Sequence, residues 1–492
     1  MRFSLTFALA LTLSLPASGS QSAAPGAAVD SLLLRARSAL DRGGLPDSLV
    51  LRLRAVIRDP GDTRMGDALG LLGRHYAMAG RAAPLDTVLS LFANLSPSDA
   101  RAAGDRHLLT AQWYRLQGRA DSALAHLGRA LLLREGAGDW SGVVEVYDAY
   151  GRVTEQLVGD PGGALAYYTR AVATGRDRAP ESALLATALL RSGHMASRLG
   201  QTTPALEFYR QADAAAQRIG LDGVSALARY HSGEEQLQRQ GRVQPAATEL
   251  HRAVAAAEHG RDPYAVRARL LAHQLLGDIH YQYGSSHDSA LAAYELAIHA
   301  DDGAAQLGRL LIGSYRNAGI IHAWWDRDAR AEPLLRRAAQ LADESDDEDL
   351  ALSNRGHWIA ALVRVGKLQE AIRALAPVRA DMATSDGTMA VALGAIVQAN
   401  DRDSGVAFDA EPWARVFGTP ATMDAFFRSA IDMALARDDI ETLLFALFEY
   451  GRSLLAAGRL EEAQRTLRSA WNQAARKGRD DERRALDRHI LR

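Results

Sequence analysis

Not one of the 492 residues is a cysteine, which excludes disulfides, thiolate zinc sites, thiol nucleophiles and a lipidated N-terminal cysteine together. The same absence is silent on compartment, because a thiol-free chain suits oxidising and reducing surroundings equally. Lysine is nearly missing too: of 57 basic residues only Lys367 and Lys477 are lysine. With alanine and glycine abundant, this reads as GC-rich codon usage rather than selection for forked anion contacts. Net formal charge is -2, so no basic face supports binding to nucleic acid or an anionic membrane. Beyond the N-terminus no stretch is long and apolar enough to span a bilayer. A phosphate-binding Gly-rich loop, a His-Glu-x-x-His helix, a Gly-x-Ser-x-Gly elbow and a calcium loop are all lacking, so no enzyme, cofactor or metal chemistry is announced.

Several weaker features resolve to bland readings. His273, His280 and His287 recur on a helical stripe, but Gly284 interrupts it before the last, which argues against a metal site. The acidic run Asp343, Glu344, Asp346, Asp347, Glu348, Asp349 falls where a turn belongs and reads as a solvated loop. The charge-dense segment from Arg476 to Arg492 reads as a solvated final helix.

What is present begins with a leader. Arg2 precedes an apolar run from Phe3 to Leu15, then Pro16 and the small residues Ala17 and Gly19, which suit a signal-peptidase cut after Gly19, with Ala24 as a second site. The run is too short for the roughly 20 residues of a membrane helix. Residues 1–24 are thus expected to be a secretory signal, leaving a periplasmic or secreted protein of net charge -3 once Arg2 is removed.

The rest is periodic. Gly193, Gly200, Ala205, Ala212 and Gly451, Gly458, Ala463, Ala470 share one spacing. Partial copies are Gly118, Ala123, Ala130; Gly159, Ala164, Ala171; Gly241, Ala246, Ala253; Gly284, Ala290, Ala297; Gly319, Ala331, Ala338; and Gly366, Ala371. The first alanines stand at 123, 164, 205, 246, 290, 331 and 371, about 41 residues apart. Small residues at this spacing mark close helix approach, and the apolar residues around them bury the shared face. Tyr114, Tyr209, Tyr294 and Tyr450 lie nearby and read as fillers between pairs. Capping residues before proline at Ser96-Pro97, Asp160-Pro161, Thr203-Pro204, Asp262-Pro263 and Thr419-Pro420 predict helix starts, and no strand alternation is found.

The Gly…Gly…Ala…Ala pattern of 193–212 and 451–470 resembles the tetratricopeptide repeat (TPR), in a long bacterial variant, over roughly residues 100–380 and 420–476. The resemblance implies an all-α, TPR-like αα superhelix, a right-handed helical solenoid. The expected division is 25–95 as N-terminal helical hairpins, 96–400 as the array, 401–419 with Trp413 and Phe417 as an irregular insertion or hinge, and 420–492 as final repeats and cap. In that family the first helix of each pair lines a groove that holds extended peptides or helices. Carried over, this register places Asp148, Arg152, Glu155, His194, Arg198, His231, Glu235, Arg239, Gln274, Asp278, Tyr281, Arg316 and Trp324 on the groove. The Lys and Asn clamp of chaperone-binding relatives is missing, with Arg316-Asn317 only a fragment of it. The expected function is therefore a non-enzymatic scaffold for a protein or peptide partner. Two alternatives stay open: a sensory array acting with a separately encoded kinase or CHAT-type peptidase, and a glycan-processing solenoid using Asp148 with Glu155.

Overall fold

The computed structural model describes residues 25–58, 64–93, 100–284, 286–300, 307–345, 347–383, 386–402 and 407–490. The expected leader, the Ser96-Pro97 cap and Asp346 lie outside them. Every regular element among the described residues is a helix. The chain forms two compact units, one ending at Leu133 and the other beginning at Arg134.

The first unit holds α1 (Pro25–Asp41), α2 (Asp47–Val56), α3 (Met65–Met78), α4 (Ala82–Ala93) and α5 (Ala100–Leu116), with α6 (Ala120–Gly136) containing the boundary. Its core is built on Ala36, Leu53, Leu69, Leu72 and Leu85, on the inward faces of α1 to α4.

The second unit continues with α7 (Trp140–Val153), extended by a π-turn at Thr154–Val158, then α8 (Pro161–Arg178), α9 (Ala183–Arg198) and α10 (Thr202–Arg218). Next come α11 (Asp222–Gln240), α12 (Val243–Ala257), α13 (Pro263–Gln282) and α14 (His287–Ala300). After a 3-10 turn at Gly308–Leu311 follow α15 (Ile312–Trp324), α16 (Asp328–Asp343), α17 (Glu348–Arg364), α18 (Leu368–Leu375) and α19 (Ala380–Ala383). The unit ends with α20 (Gly387–Arg402), α21 (Glu411–Phe417), α22 (Met423–Ala436), α23 (Ile440–Ala456), α24 (Leu460–Arg476) and α25 (Asp480–Ile490). Neighbouring helices pair and stack in sequence order, a TPR-like αα solenoid.

Why these sequences pair is visible at the small residues. Ala123, Ala164, Ala205, Ala246, Ala290, Ala331, Ala371 and Ala463 are all fully buried, at 0% exposure. A methyl group is all that fits where two helices nest at these positions, and anything larger would have to displace the neighbour. Opposite six of these alanines the partner helix carries a closely packed glycine: Gly151, Gly193, Gly233, Gly277, Gly319 and Gly451. A Cβ placed on Gly193 would lie 2.5 Å from the Tyr209 ring, and Gly151 with Tyr168 and Gly277 with Tyr294 repeat the fit. Tyr209 and Tyr294 are therefore knobs set into glycine notches, as is Tyr168, which the landmark spacing did not single out; Tyr114 instead lies half-buried against His126 and Arg119, and Tyr450 stacks on Phe427. Gly200 serves the turn instead. At φ +72° it ends α9 in the left-handed region, letting the chain reverse into α10. In the α15–α16 turn the left-handed residue is Asp326, at φ 56°.

Helix starts follow the capping rule with two corrections. Asp160 and Asp262 cap α8 and α13 by accepting the backbone N–H of Gly163 and Ala265, each with proline next. Thr203-Pro204 instead lies inside the first turn of α10, which starts at Thr202. At Thr419-Pro420 the true cap is Thr422, accepting from Ala425 N. Thr419 N donates to Ala414 O, because left-handed Gly418 ends α21 just before it. Trp413 and Phe417 of α21 pack on the core around Phe426, Phe427 and Met389.

The last helix departs furthest from expectation. Instead of a solvated tail, α25 buries Asp481, Glu482, Ala485 and Leu486, and Arg479 just before it is buried too. The physical reason lies in the helix ends it meets. Arg479 donates to Tyr281 O in the last turn of α13 at 2.8 Å, and Asp481 accepts the backbone N–H of His287, the first residue of α14, at 2.5 Å. A cation thus meets exposed carbonyls and an anion meets exposed N–H groups, satisfying both ends of the α13–α14 turn from nearly two hundred residues away. Arg452 of α23 likewise reaches Asp326 and Asp328 at 2.6 and 3.2 Å, and Trp324 stacks on Phe448.

Candidate functional site

The tyrosine notches define a register. On each first helix the positions three before and one after the notch glycine, and about one turn further on, face inward. In α7 they are Asp148, Arg152 and Glu155, and in α9 they include His194 and Ser197. In α13 they are Gln274, Asp278 and Tyr281; in α15, Arg316 and Ile320.

From α7 to α11 this face is tied together by its own polar groups. Asp148 is buried between Arg152 at 3.2 Å and Arg191 at 3.3 Å. Glu155 accepts the Tyr168 hydroxyl at 3.0 Å and pairs with Arg198 at 3.3 Å. Ser197 donates to buried Glu235, and Arg239 reaches Ser197 O at 3.5 Å. The His194 and His231 rings lie 5.8 Å apart, with His231 also against Tyr209 and bonded to Glu234. Burial tends to raise Glu234, but the His231 contact prevails and holds its carboxyl below the usual range. Asp148 and Glu235 are therefore struts under the surface and closed to a ligand, a correction to the expectation of an open groove lined by all thirteen residues. Both carboxylates of the Asp148 and Glu155 pair are engaged with arginine. Arg198, with 45% of its side chain exposed, Arg239 and His194 stay accessible.

Around α13 and α15 the pattern repeats. Asp278 accepts from Tyr294 at 2.7 Å and Asn317 at 3.1 Å, and Gln274 accepts from Ser314 at 3.1 Å. Burial raises the Asp278 carboxyl above its ordinary value despite those donors.

Beyond α13 the inner face becomes the wall of a cavity of about 160 Å³. Tyr281, Arg316 and Trp324, three of the thirteen expected residues, line it together. So do Ser353 and His357, which stand three before and one after Gly356 in α17 and so continue the register of Arg316 and Ile320. Extending the register by one helix would have found them. The opposite wall comes from the start of α23, with Asp439, Glu441 and Thr442, and from Arg479 and Glu482. Nothing in the repeat pattern points to that wall, because it exists only where α25 docks against α13 and α14. Asp439 is a helix cap, accepting from Glu441 N and Thr442 N and from the Thr442 hydroxyl. Glu441 accepts from Arg479 at 3.1 Å. Burial first, then the Arg316 and Arg364 cations, depress His357 to about 3, so its ring is a neutral imidazole at ordinary pH.

His287 is buried, accepts the Trp325 indole N–H on Nδ1 at 3.0 Å and so presents Nε2–H towards Glu482. Among the described residues no cluster of His, Asp and Glu fits a metal ion, and no helix is long and apolar enough to cross a membrane.

No family model matches this chain. No curated protein matches it either. Among solved structures it is similar to a STAND signal-transduction ATPase with a tetratricopeptide repeat sensor from Pyrococcus horikoshii, at 12% identity over 67% of this chain and 52% of that chain, TM-score 0.48. It is similar also to aspartyl phosphate phosphatase F from Bacillus subtilis, at 14% identity over 73% and 95%, TM-score 0.44. A third is the apo quorum sensor NprR from B. thuringiensis, at 12% identity over 91% and 99%, TM-score 0.38. Similarity at this level assigns this chain no ligand and no activity.

Proposed function

We propose that the protein is a binding scaffold of the tetratricopeptide type, without catalytic activity, that holds a peptide or protein segment along the inner face of α9 to α17. One observation carries the reading: accessible His194 and Arg198 on α9, with Arg239 of α11 reaching Ser197 O beside them, lie on the face that opens at its other end into a polar cavity. Exposed Arg198 and Arg239, over half-buried Glu155 and buried Glu235, favour a segment bearing acidic side chains. Export of the mature chain belongs to the same reading and rests on the residue 2–19 leader pattern alone. N-terminal sequencing of protein recovered from the envelope tests it, with a start near Ser20 or Pro25 expected.

The binding reading is tested by panning the full chain against a displayed library of acidic peptides. Arg198→Glu combined with Arg239→Glu is expected to abolish capture, with unchanged helical circular dichroism. Full capture by the double variant would refute it.

A further inference from the structure

The cavity between α15, α17, α23 and the α24–α25 turn is too small for an extended segment. Sites for drug-sized ligands begin near roughly 300 Å³, and this one measures about 160 Å³. That is room for about five waters at ~30 Å³ each, or for one small organic molecule.

Its charges are arranged unevenly. On the α15–α17 wall Arg316 donates to Asn317 Oδ1 at 3.2 Å and has no carboxylate at ion-pair distance among the described residues. Beside it His357, 8% exposed, has Nδ1 without a hydrogen-bond partner. On the facing wall Glu482 is 1% exposed and neither carboxylate oxygen accepts a hydrogen bond. Arg479 Nη1 and His287 Nε2 stand at 3.5 Å from its Oε1. Arg479 is already committed to Tyr281 O and to Glu441, so one guanidinium serves two acidic side chains and a carbonyl at that end. Glu482 thus has a cation beside it but accepts no hydrogen bond, so part of the cost of burying its charge stays uncompensated. Its natural complement is a small cationic donor, as the complement of Arg316 is an anionic acceptor. Between the two ends Tyr281, Trp324 and Phe445 supply apolar surface for a short aliphatic group.

We infer that this cavity is a binding site for a small zwitterion of amino-acid size, with its carboxylate on Arg316 and its ammonium on Glu482. The inference rests on reading the inner face as a binding surface. The two fail separately, because segment capture is read at Arg198 and Arg239 and cavity occupancy at Arg316 and Glu482.

The experiment is calorimetric titration and thermal melting of the full chain with glycine, L-alanine, L-serine, N-acetyl-L-alanine, L-alaninamide and L-tryptophan, each alone. Saturable binding and a raised melting temperature are expected for at least one of the three small free amino acids. The acetylated form, lacking the ammonium, and the amide, lacking the carboxylate, should each bind at least about tenfold more weakly, the loss of one charged contact. Tryptophan should be excluded by size. Arg316→Gln and Glu482→Gln should each lower affinity about tenfold or more. Glu482 helps seat α25, so Arg316→Gln, at a half-buried position, decides the matter if Glu482→Gln misfolds. Absence of saturable binding by all three small amino acids at millimolar concentration would overturn the proposal. So would blocked forms that bind as well as L-alanine, or unchanged affinity in Arg316→Gln.

Discussion

At the scale of single residues, His357 shows how a buried polar group makes stability depend on pH. Burial and two nearby arginines hold its ring near 3 in the folded chain against 6.5 in the unfolded one. Between those values the unfolded chain binds a proton that the folded chain refuses, so stability falls on acidification from 6.5 towards 3 and is fully present above 6.5. His357→Leu should flatten that dependence by at most about 1.4 kcal/mol per pH unit. Urea midpoints of both forms across the window measure it, and parallel curves would contradict a buried neutral imidazole.

At the scale of helix pairs, the glycine notch is the specificity element. Gly193→Ala would set a methyl against the buried Tyr209 ring and is expected to cost roughly 1–3 kcal/mol. Combining it with Tyr209→Val should cost less than the two single losses together, because the second change vacates the space the first needs. Additive losses in urea denaturation would mean that the notch and the ring are independent. This level was legible in the sequence, since a methyl or a hydrogen at a fixed spacing reports a steric requirement directly. Ala205 and Gly193 announce their helix contact in this way. Cap positions were less legible, because Thr419-Pro420 and Thr422 offer rival starts and only the left-handed Gly418 decides between them.

At the scale of the second unit, the decisive contacts join residues far apart in sequence, and these were illegible. Arg479, Asp481 and Glu482 look like a soluble tail until the carbonyl of Tyr281 and the N–H of His287 are placed beside them. For the same reason the repeat register reached Tyr281, Arg316 and Trp324 around the cavity, but neither its acidic wall nor its closure. Arg479→Ala would leave Glu482 buried without its neighbouring cation and unseat the end of α13, a loss of roughly 3–5 kcal/mol. Faster amide exchange should follow at the end of α13, the start of α14 and α25 together. Faster exchange confined to α25 would show that the docking carries little.

An open stack of helical hairpins tolerates the gain or loss of a member, because each touches only its neighbours. The contact of Arg479 and Asp481 with the α13–α14 turn removes that tolerance between α14 and α25. Duplicating or deleting one hairpin there would shift the docking turn by about a helix diameter, near 10 Å, and leave the cap without the helix ends it complements. Recombination can therefore lengthen this protein elsewhere, but the segment from His287 to Ile490 has a fixed census of hairpins.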